Sequence, residues 1–518
     1  MQSLTLVKQN LYFDSVSLMR MSNQVAALPG IKDVLVGMAT DLNKELLDAM
    51  GAMSPEAKTA GPNDLFIGIV AEDQASIEAA LAKIDGLFAK KKPGREATGE
   101  VVFESIEQVA EAAEGFNMAV ISVPGVYAAR ECREALMHDM HVFLFSDNVS
   151  LEDEVRLKTL AKDRGFLMMG PDCGTAIING VPLGFANVVR RGDIGIVAAS
   201  GTGLQHVTQL IDALGAGISQ AIGVGGRDLS SDVGGLTMLS ALEAVGEDPR
   251  TKVVVLLSKP PAPEVAEKVL SRAGELGKPV VLCLFGRQTD AALGSVSLAE
   301  DIYRTAQEAV RLSTGELKEL EDPYFSLEKV DAFCAQRQPE QRYVRGIFCG
   351  GTMCDEAMVS FRKAQIPIKS NIPLAGDEGL ADVHRSEGNT FIDMGDDYFT
   401  RGKPHPMIEP ALRNQRIVTD AMLADTAVML VDVELGFGSH SDPAGVVVKA
   451  MREAQEALKA RGGPELLWIA SLIGTRGDPQ GFNAQADKLL EAGFVVTESN
   501  IRAARLAGEL VIEGGRKG

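Results

Sequence analysis

Short apolar runs recur along this chain of 518 residues, and the stretches between them are long enough for one helix each. Such a rhythm predicts βαβ units, in which parallel strands are buried on both faces, and therefore an α/β fold. The runs form an earlier and a later series, which indicates more than one sheet. The predicted strands are Leu65 to Val70, Met118 to Val123, Val142 to Phe145, Ile194 to Val197, Val253 to Leu257, Val280 to Phe285, Gly346 to Cys349, Thr390 to Asp393, Ala427 to Val433, Leu466 to Ala470 and Phe494 to Thr497.

Breaks in this rhythm divide the chain into three α/β domains with parallel sheets. We predict that residues 1–190 form the first domain, residues 191–290 the second and residues 343–518 the third. Residues 291–342 are charged and have a helical pattern without an apolar strand run, so they are predicted to be a helical linker.

Charge and cysteine usage exclude several classes of partner and site. The net charge is −20, which argues against nucleic acid or an anionic membrane surface as the main partner. The six cysteines are scattered, and the one close pair, Cys349 and Cys354, has no second pair to complete a zinc site. No secretory signal and no apolar stretch of about 18 residues is found. We therefore expect a reduced, cytoplasmic protein.

A glycine-rich turn follows the strand predicted at Ile194 to Val197 and leads into a helix. Ser200, Gly201, Thr202 and Gly203 would direct backbone N–H groups and two hydroxyls at a phosphate or carboxylate, with the helix dipole favouring the negative charge. The alternative is a tight connection without a ligand. We favour anion binding, because serine and threonine stand where a helix start has unpaired donors.

Two further loops of the second domain carry cations. Gly225 and Gly226 precede Arg227, which could clamp an anion or could simply pair with the aspartate that follows it. Lys259 follows the strand predicted at Val253 to Leu257 and so lies at the strand ends, where open α/β sheets bind ligands. The two prolines after Lys259 could instead be a rigid helix entry.

The third domain offers carboxylates and a histidine. Asp393, Asp396 and Asp397 follow a predicted strand and are candidate Mg²⁺ ligands, although such a cluster can equally be a solvated turn. His405 lies between two prolines, which fit neither a sheet interior nor a helix interior, so it is predicted to lie in a rigid loop.

A second glycine-rich turn contains Gly436, Gly438, Ser439 and His440 and is predicted to start a second helix. His440 could act as a general base or bind an anion there, and a capping or surface role is the alternative. We predict that this turn and the turn at Ser200 face one another around one charged ligand.

Several segments resemble the α subunit of succinyl-CoA synthetase, and two later segments resemble the C-terminal domain of its β subunit. A nearer resemblance, to the FdrA family, covers almost the whole chain. The α-like segments are Met118 to Gly125, Gly170 to Gly174, Gly195 to Thr202 and Gly223 to Gly226, and the β-like segments are residues 390–400 and 426–445. The FdrA motifs are Tyr12 to Met19, Phe145 to Val149, Met169 to Gly174, Gly225 to Asp228, Ser258 to Pro261 and Gly402 to Met407.

This resemblance implies a Rossmann-like domain of the CoA-binding type followed by two flavodoxin-like domains of the CoA-ligase type. In the synthetase, two helices that begin at glycine-rich turns hold a phosphohistidine, and here no histidine occurs between His206 and His384. The expected histidine loop reads Arg287 to Asp290, and the glycine-rich turn that receives CoA is replaced by Asn10 to Ser15. An ATP-grasp domain is also missing. ATP-driven thioester synthesis is therefore not expected of this chain alone, nor is bound CoA.

The FdrA family is associated with a multi-subunit oxamate carbamoyltransferase, which moves a carbamoyl group between oxalurate and phosphate. The resemblance thus implies a small acyl phosphate or carboxylate substrate and further subunits. Ser200 to Gly203 would bind the phosphoryl end, Arg227 and Lys259 would clamp it, and His440 or His405 would handle the proton. An acyl-CoA synthetase with a partner and a scaffold subunit without activity are the alternatives.

Overall fold

The computed structural model describes residues 2–9, 11, 15–26, 28–61, 64–90, 103, 105–112, 115–285, 295–401 and 403–516. The chain forms two compact units: Met1–Val102 with Arg401–Pro404, and Phe103–Thr400 with His405–Gly518. Residues 12–14 and 287–290, on which two of the sequence predictions rest, lie outside the described residues. No helix in the described part of the chain has both the length and the apolar character needed to cross a membrane.

The first unit contains an antiparallel three-stranded sheet in the order β1-β3-β2. Alternate residues of the central strand enter two cores: Ile67 and Ile69 pack with Leu18, whereas Phe66 packs with Leu47 on the other face. Helices therefore cover both faces of this sheet. Its elements are β1 (Gln2–Lys8), α1 (Ser15–Ala26), β2 (Ile31–Met38), α2 (Asp41–Ala49), α3 (Pro55–Thr59), β3 (Leu65–Ala71) and α4 (Gln74–Lys90).

The second unit begins with a small parallel sheet in the order β4-β5-β6. The buried helix residues Cys132 and Leu157 pack with Val142 of its central strand. Its elements are α5 (Ile106–Ala112), β4 (Met118–Ile121), α6 (Gly125–Met137), β5 (His141–Leu144), α7 (Leu151–Arg164) and β6 (Met168–Met169).

A seven-stranded sheet follows, in the order β13-β12-β11-β9-β10-β7-β8. Its strands β9 to β13 are parallel, and their spatial order is that of flavodoxin-like domains, with the first strand between the second and the third. Its elements are β7 (Thr175–Ile178), β8 (Val181–Gly184), β9 (Arg191–Ala199), α8 (Gly201–Ala213), β10 (Ile218–Gly223), α9 (Leu236–Glu247), β11 (Val253–Ser258), α10 (Pro263–Glu275), β12 (Val280–Leu284), β13 (Val296–Leu298) and α11 (Ile302–Thr314).

A second seven-stranded sheet has the order β16-β15-β17-β14-β18-β19-β20. Five of its strands, in the spatial order β17-β14-β18-β19-β20, repeat the flavodoxin-like order, with β14 as the first strand. Its elements, preceded by α12 (Glu328–Gln336), are β14 (Tyr343–Phe348), α13 (Gly351–Lys363), β15 (Lys369–Ser370), β16 (Glu378–Gly379), β17 (Thr390–Asp393), α14 (Asp397–Thr400), α15 (Ala411–Ala421), β18 (Thr426–Glu434), α16 (Pro443–Ala460), β19 (Leu467–Ile473), α17 (Phe482–Ala492), β20 (Val495–Thr497) and α18 (Asn500–Arg516).

The two seven-stranded sheets share one hydrophobic core. One cluster of buried side chains includes Leu204 of α8 and Ala306 of α11 together with Met353 of α13 and Ala504 of α18. The α/β class and the flavodoxin-like pair are confirmed, and the shared core fixes the carboxyl ends of β9 and β14 beside each other.

Three features differ from the predicted domain ranges. Residues 2–71 pair antiparallel in a separate unit, and the hairpin at 175–184 joins the first seven-stranded sheet, so residues 1–190 do not share one parallel sheet. Val296–Leu298, inside the predicted linker, is an edge strand of that sheet. A three-residue strand is too short to show a periodicity, and apolar runs alone do not reveal strand direction.

Candidate active site

Helix α8 begins where β9 ends at the middle of its sheet. The Ser200 Oγ caps the helix by accepting a hydrogen bond of 3.0 Å from the Gly203 N–H. A Cβ on Gly201 would meet the Gly174 Cα at an ordinary 3.7 Å. Neighbouring protein atoms therefore leave room for a side chain at Gly201, and a close ligand remains a reason for the glycine.

The start of α13 lies against the start of α8. Thr352 Oγ1 hydrogen-bonds the Ser200 hydroxyl, and a Cβ on Gly350 would overlap the Thr202 side chain. The domain of the first seven-stranded sheet and that of the second are called the first and second half below. Each half thus places a threonine against the turn of the other. Gly350 is the N-cap of α13 and supplies no capping side chain, so the first N–H groups of this helix have no acceptor from a cap residue. Two positive helix ends meet here, and the sequence prediction had identified one of them.

Lys259 lies at the start of α13. Its Nζ is 3.6 Å from the Asp355 carboxylate, and a Cβ on Gly351 would come within 2.5 Å of that Nζ and 2.7 Å of Asp393 Oδ2. Burial lowers the pKa of Lys259, but Asp355, Asp393, Cys354 and Asp172 outweigh it and hold this pKa above its usual range. Lys259 is therefore a half-exposed cation at a helix start, as its position after β11 predicted.

Asp393 and His405 both lie next to Gly395. Asp393 Oδ1 accepts a 2.8 Å hydrogen bond from the Gly395 N–H, and a Cβ on Gly395 would lie 2.7 Å from His405 Nε2. Burial raises the pKa of Asp393 to about 7, against the opposing effect of Lys259. Burial, with Arg413 adding, lowers the pKa of His405 to about 4. An easily protonated carboxyl therefore lies beside Lys259, and a neutral imidazole lies on the far side of that carboxyl, next to Gly395.

Asp172 is a site residue that sequence reasoning missed. It follows β6 in the left-handed conformation, with φ of 56°, and solvent reaches its side chain. Desolvation, with Asp397 and Asp147 adding, raises its pKa to about 7, while Lys259 and Arg227 oppose the shift. The signal was present in the Gly170 to Gly174 motif, which had served as a mark of resemblance.

Arg227 has protein partners. Its guanidinium donates to the Val149 carbonyl at 2.8 Å and pairs with the buried Glu154 at 2.9 Å, which corrects the suggested pairing with the next residue, Asp228. Asp228 instead binds Lys158 and the start of α9. The neighbouring glycines pack on the Gly170 to Gly174 turn: a Cβ on Gly225 would overlap Pro171 O, and one on Gly226 would contact Asp172. An anion-binding role for these three residues stays a prediction.

The second predicted turn does not itself start a helix. Gly436 and Gly438 have φ of 104° and 79° and pack closely on Ala186 and Phe185, while the helix, α16, begins at Pro443 with Asp442 as its cap. His440 donates its backbone N–H to Met407 O and accepts the Asp442 N–H at Nδ1. Ser439 Oγ is buried without a hydrogen-bond partner. The glycines serve backbone packing, and α13 takes the place opposite α8.

The three carboxylates suggested for Mg²⁺ do not converge. Within the described part of the chain, Asp393, Asp396 and Asp397 are not among the acidic groups that bring three ligand atoms within 4.8 Å of one another. Asp393 faces Lys259, and Asp396 caps the short helix α14 through the Tyr398 N–H. Binding of Mg²⁺ at these residues stays a prediction.

Two buried side chains, each about one turn after the start of α8 or α13, form hydrogen bonds between the two halves. His206 of α8 accepts the N–H of Asn500 at the start of α18, at 3.3 Å, and Glu356 of α13 accepts the N–H of Ile302 at the start of α11, at 2.8 Å. Burial lowers the pKa of His206 to about 4 and raises that of Glu356 to about 7. Sequence reasoning gave His206 no role, because its partner lies 294 residues away.

Three family models match the chain. The one described as "AllF, heavy metal-associated domain" matches residues 1–102, "CoA binding domain" matches 189–285 and "CoA-ligase" matches 347–510. Residues 1–102 contain no cysteine and no histidine, so the thiolate and imidazole ligands that commonly hold heavy-metal ions do not occur there. A thiolate or imidazole metal site does not fit this segment, and the two flavodoxin-like halves are domains of the CoA-binding and CoA-ligase type.

Relatives fall into two groups. The Escherichia coli K12 protein described as "Uncharacterized protein YahF" is 44% identical over 509 residues, which is 98% of this chain and 98% of that protein. A succinate–CoA ligase [ADP-forming] subunit alpha 2 from Archaeoglobus fulgidus is 30% identical over 196 residues, 37% of this chain and 66% of that subunit. A mitochondrial subunit alpha-2 from Trichomonas vaginalis is 28% identical over 34% of this chain and 57% of its own length. The match therefore covers only part of each ligase subunit.

Solved structures with some likeness include the apo dinucleotide-forming acetyl-coenzyme A synthetase 1 of Ca. Korarchaeum cryptofilum. It shares 15% identity, with 82% of this chain and 88% of that chain covered and a TM-score of 0.33. The ATP citrate lyase of Methanothrix soehngenii shares 13% identity, with 80% and 86% covered and a TM-score of 0.35.

Proposed function

The chain belongs to the family of the E. coli protein YahF, and we propose that it is the substrate-handling subunit of a carbamoyltransferase-like complex, as its resemblance to the FdrA family implies. The reaction would move a carbamoyl group between oxalurate and phosphate, with carbamoyl phosphate as the small acyl phosphate. The observation that supports the proposal is the meeting of the starts of α8 and α13 beside Lys259. Two helix ends and one cation suit a dianion. A cytoplasmic location is part of the proposal.

Phosphate would occupy the space in front of Gly201 and Gly351. The first-turn N–H groups and the Lys259 ammonium would hold it and stabilise the charge that develops on the carbonyl oxygen. A phosphate oxygen then bonds to the carbamoyl carbon of oxalurate, the bond from that carbon to the oxamate nitrogen breaks, and the nitrogen takes the proton that phosphate loses. The products, oxamate and carbamoyl phosphate, contain all the atoms of the reactants.

Proton movement falls to Asp393 and His405, which lie on either side of Gly395. Asp393, with its pKa near 7, can hold a proton or release it close to neutral pH, and His405 is neutral there. His405 is one of the two proton carriers predicted from the sequence, and Asp393 takes the place of the other, His440, whose Nδ1 accepts a backbone N–H. Lys259 is the leading candidate for the clamp, because Arg227 pairs with Glu154.

A covalent thiol route has little support. Burial raises the pKa of Cys349 and of Cys354 well above the usual value, so neither is a thiolate near neutral pH. The nucleophile would be phosphate itself, which agrees with the absence of any histidine between His206 and His384.

A second candidate function is nucleotide-dependent acyl-CoA synthesis with a partner that supplies the phosphoryl donor. The matches to the CoA-binding and CoA-ligase families favour it. The relatives named as succinate–CoA ligase subunits belong to the same broad class of enzyme. CoA and a carboxylate would then be the substrates at the same helix starts.

The test uses the full chain, alone and with the products of its neighbouring genes. We expect phosphate-dependent formation of carbamoyl phosphate from oxalurate, with a KM for phosphate about 10- to 100-fold higher in Lys259→Gln. Lys252→Gln is the matched control, because Lys252 pairs with Asp193 on the surface and does not line the site. ADP release that requires ATP, CoA and a carboxylate, without carbamoyl transfer, would establish the second candidate. If neither activity is detected in any mixture, the remaining candidate is a scaffold subunit without activity.

A further inference from the structure

Glu434 is a buried carboxyl group to which the proposed reaction gives no role. It ends β18 and is 2% exposed, and among the described residues no donor group is paired with either of its side-chain oxygens. One of its oxygens, a carboxylate oxygen of Asp432 and the Cys349 Sγ all lie within 4.8 Å of one another. Asp432 and Glu434 are two residues apart on one strand and so share a face of the sheet.

Asp432 is already surrounded by donors. The Arg413 guanidinium donates to Oδ1 at 2.7 Å, and the Cys349 N–H lies 2.8 and 3.0 Å from the two carboxylate oxygens. The Gly350 N–H adds a contact of 3.3 Å to Oδ2. These donors occupy the lone pairs that a metal ion would need, and the guanidinium would repel a cation. The cluster therefore does not fit a metal site.

Charge balance decides the state of Glu434. The groups that face it are Asp432 on its own strand, Cys349 at the end of β14 and Arg413 on α15, so one cation stands against two carboxyl groups. An ionised carboxylate without a partner in this position would carry a large desolvation cost, which a single proton removes. Burial, with Asp432 adding, accordingly raises the pKa of Glu434 well above its usual range.

We propose that Glu434 is an un-ionised carboxylic acid whose O–H donates a hydrogen bond to the Asp432 carboxylate, and that it is a positioning residue for the start of α13. The pair then carries one negative charge, matched by Arg413. With its charge and geometry fixed, Asp432 holds the N–H groups of Cys349 and Gly350, which immediately precede the helix. The effect on activity rests on the proposed function, whereas the protonation state does not.

Infrared difference spectroscopy of the full chain tests the protonation state directly. Spectra of the wild type and of Glu434→Gln are compared well above neutral pH, where Asp172, Glu356 and Asp393, with pKa values of about 7, are ionised. We expect the carbonyl stretch of a carboxylic acid in the wild type and its loss in the variant. Asp248→Asn is the control, since Arg250 holds the pKa of Asp248 far below its usual range. No such band in the wild type would overturn the proposal.

Two variants then test positioning. Glu434→Gln keeps a neutral donor of the same shape and is expected to retain the melting temperature and the KM for phosphate. Glu434→Leu lacks the donor and is expected to raise that KM by about tenfold, from the cost of a buried polar group left without its partner. Equal damage by both variants would contradict the positioning role. If no activity is found in any mixture, the infrared result still decides the protonation state.

Discussion

The two flavodoxin-like halves repeat one strand order but treat their first helices differently. In the first half Ser200 caps α8 and takes up the Gly203 N–H, whereas in the second half the cap residue of α13, Gly350, has no side chain to accept an N–H of the first turn. Lys259 comes from the first half and lies at the start of the helix of the second. Under the proposed function, α13 would contribute more to anion binding than α8, although α8 carries the more recognisable sequence.

Gly351→Ala is expected to have the largest effect on activity. The added Cβ would meet the far ends of the Lys259 and Asp393 side chains, which can move without unfolding the protein. Loss of the aligned donors should lower kcat/KM for phosphate-dependent transfer by about 10²–10³, with a melting temperature close to that of the wild type.

The matched variant is Gly201→Ala, whose Cβ meets only ordinary contacts. A smaller loss than in Gly351→Ala is expected, and steady-state kinetics with circular dichroism would measure both. A larger loss in Gly201→Ala would reverse the order of the two helices.

The crossed groups, five residues after Gly201 and after Gly351, should give the halves opposite pH dependence. The pKa of His206 is lowered from 6.5 to about 4, so the folded state binds fewer protons there and stability falls as pH drops from about 6.5 to 4. The pKa of Glu356 is raised from 4.5 to about 7, so stability falls as pH rises from about 4.5 to 7. Each contribution is roughly 3 kcal/mol as an upper bound.

Denaturant unfolding at several pH values would measure both slopes. His206→Gln should reduce the loss on the acid side, to which His405 also contributes, and Glu356→Gln should reduce the loss towards neutral pH, to which Asp393 also contributes. Each variant also serves as the control for the other. Unchanged slopes in both variants would show that these crossed contacts do not govern the pH dependence.

Sequence patterns predicted the strands of both halves, because buried parallel strands are short apolar runs such as Val253 to Leu257. Ser200 and Lys259 were also predictable, since a helix start after a strand and a cation at a strand end are local features. The partner helix was not, because Cys349-Gly350-Gly351-Thr352 shows no side-chain cap. Thr352 of this helix contacts Ser200, which lies 152 residues earlier in the chain, and the contact depends on the core that the two halves share.

The misassigned turn has a physical reason as well. Gly436 and Gly438 look like an anion turn, but their positive φ and contacts with Ala186 and Phe185 explain the glycines without a ligand. The partners of Arg227 and His440 could not be predicted from the sequence either. Glu154, the partner of Arg227, is distant in the chain, and Met407, the partner of the His440 backbone N–H, lies in an irregular loop.

Substitution of Lys259 tests what the first half supplies to the second. Lys259→Gln removes a charge-assisted contact to the anion, so the KM for phosphate should rise by about 10- to 100-fold. Lys259→Arg keeps the positive charge but changes the shape of the side chain, so its KM for phosphate should lie between those of the wild type and Lys259→Gln. Initial rates over a range of phosphate concentrations check this, and an unchanged KM in Lys259→Gln would place the phosphate elsewhere.

The smallest effect is expected from Ser200→Ala, which sharpens the comparison from the capped side. Loss of the cap on α8 should lower the free energy of unfolding by about 1 kcal/mol, the usual contribution of a serine N-cap. The Gly203 N–H is released at the same time, so the start of α8 becomes more like that of α13, and the KM for phosphate should change little or fall slightly. Thr352→Val is the partner control, because it removes the same inter-helix contact and leaves the cap in place. If Ser200→Ala raises the KM strongly while Thr352→Val does not, the Ser200 hydroxyl itself contacts the anion and α8 is more than the capped counterpart of α13.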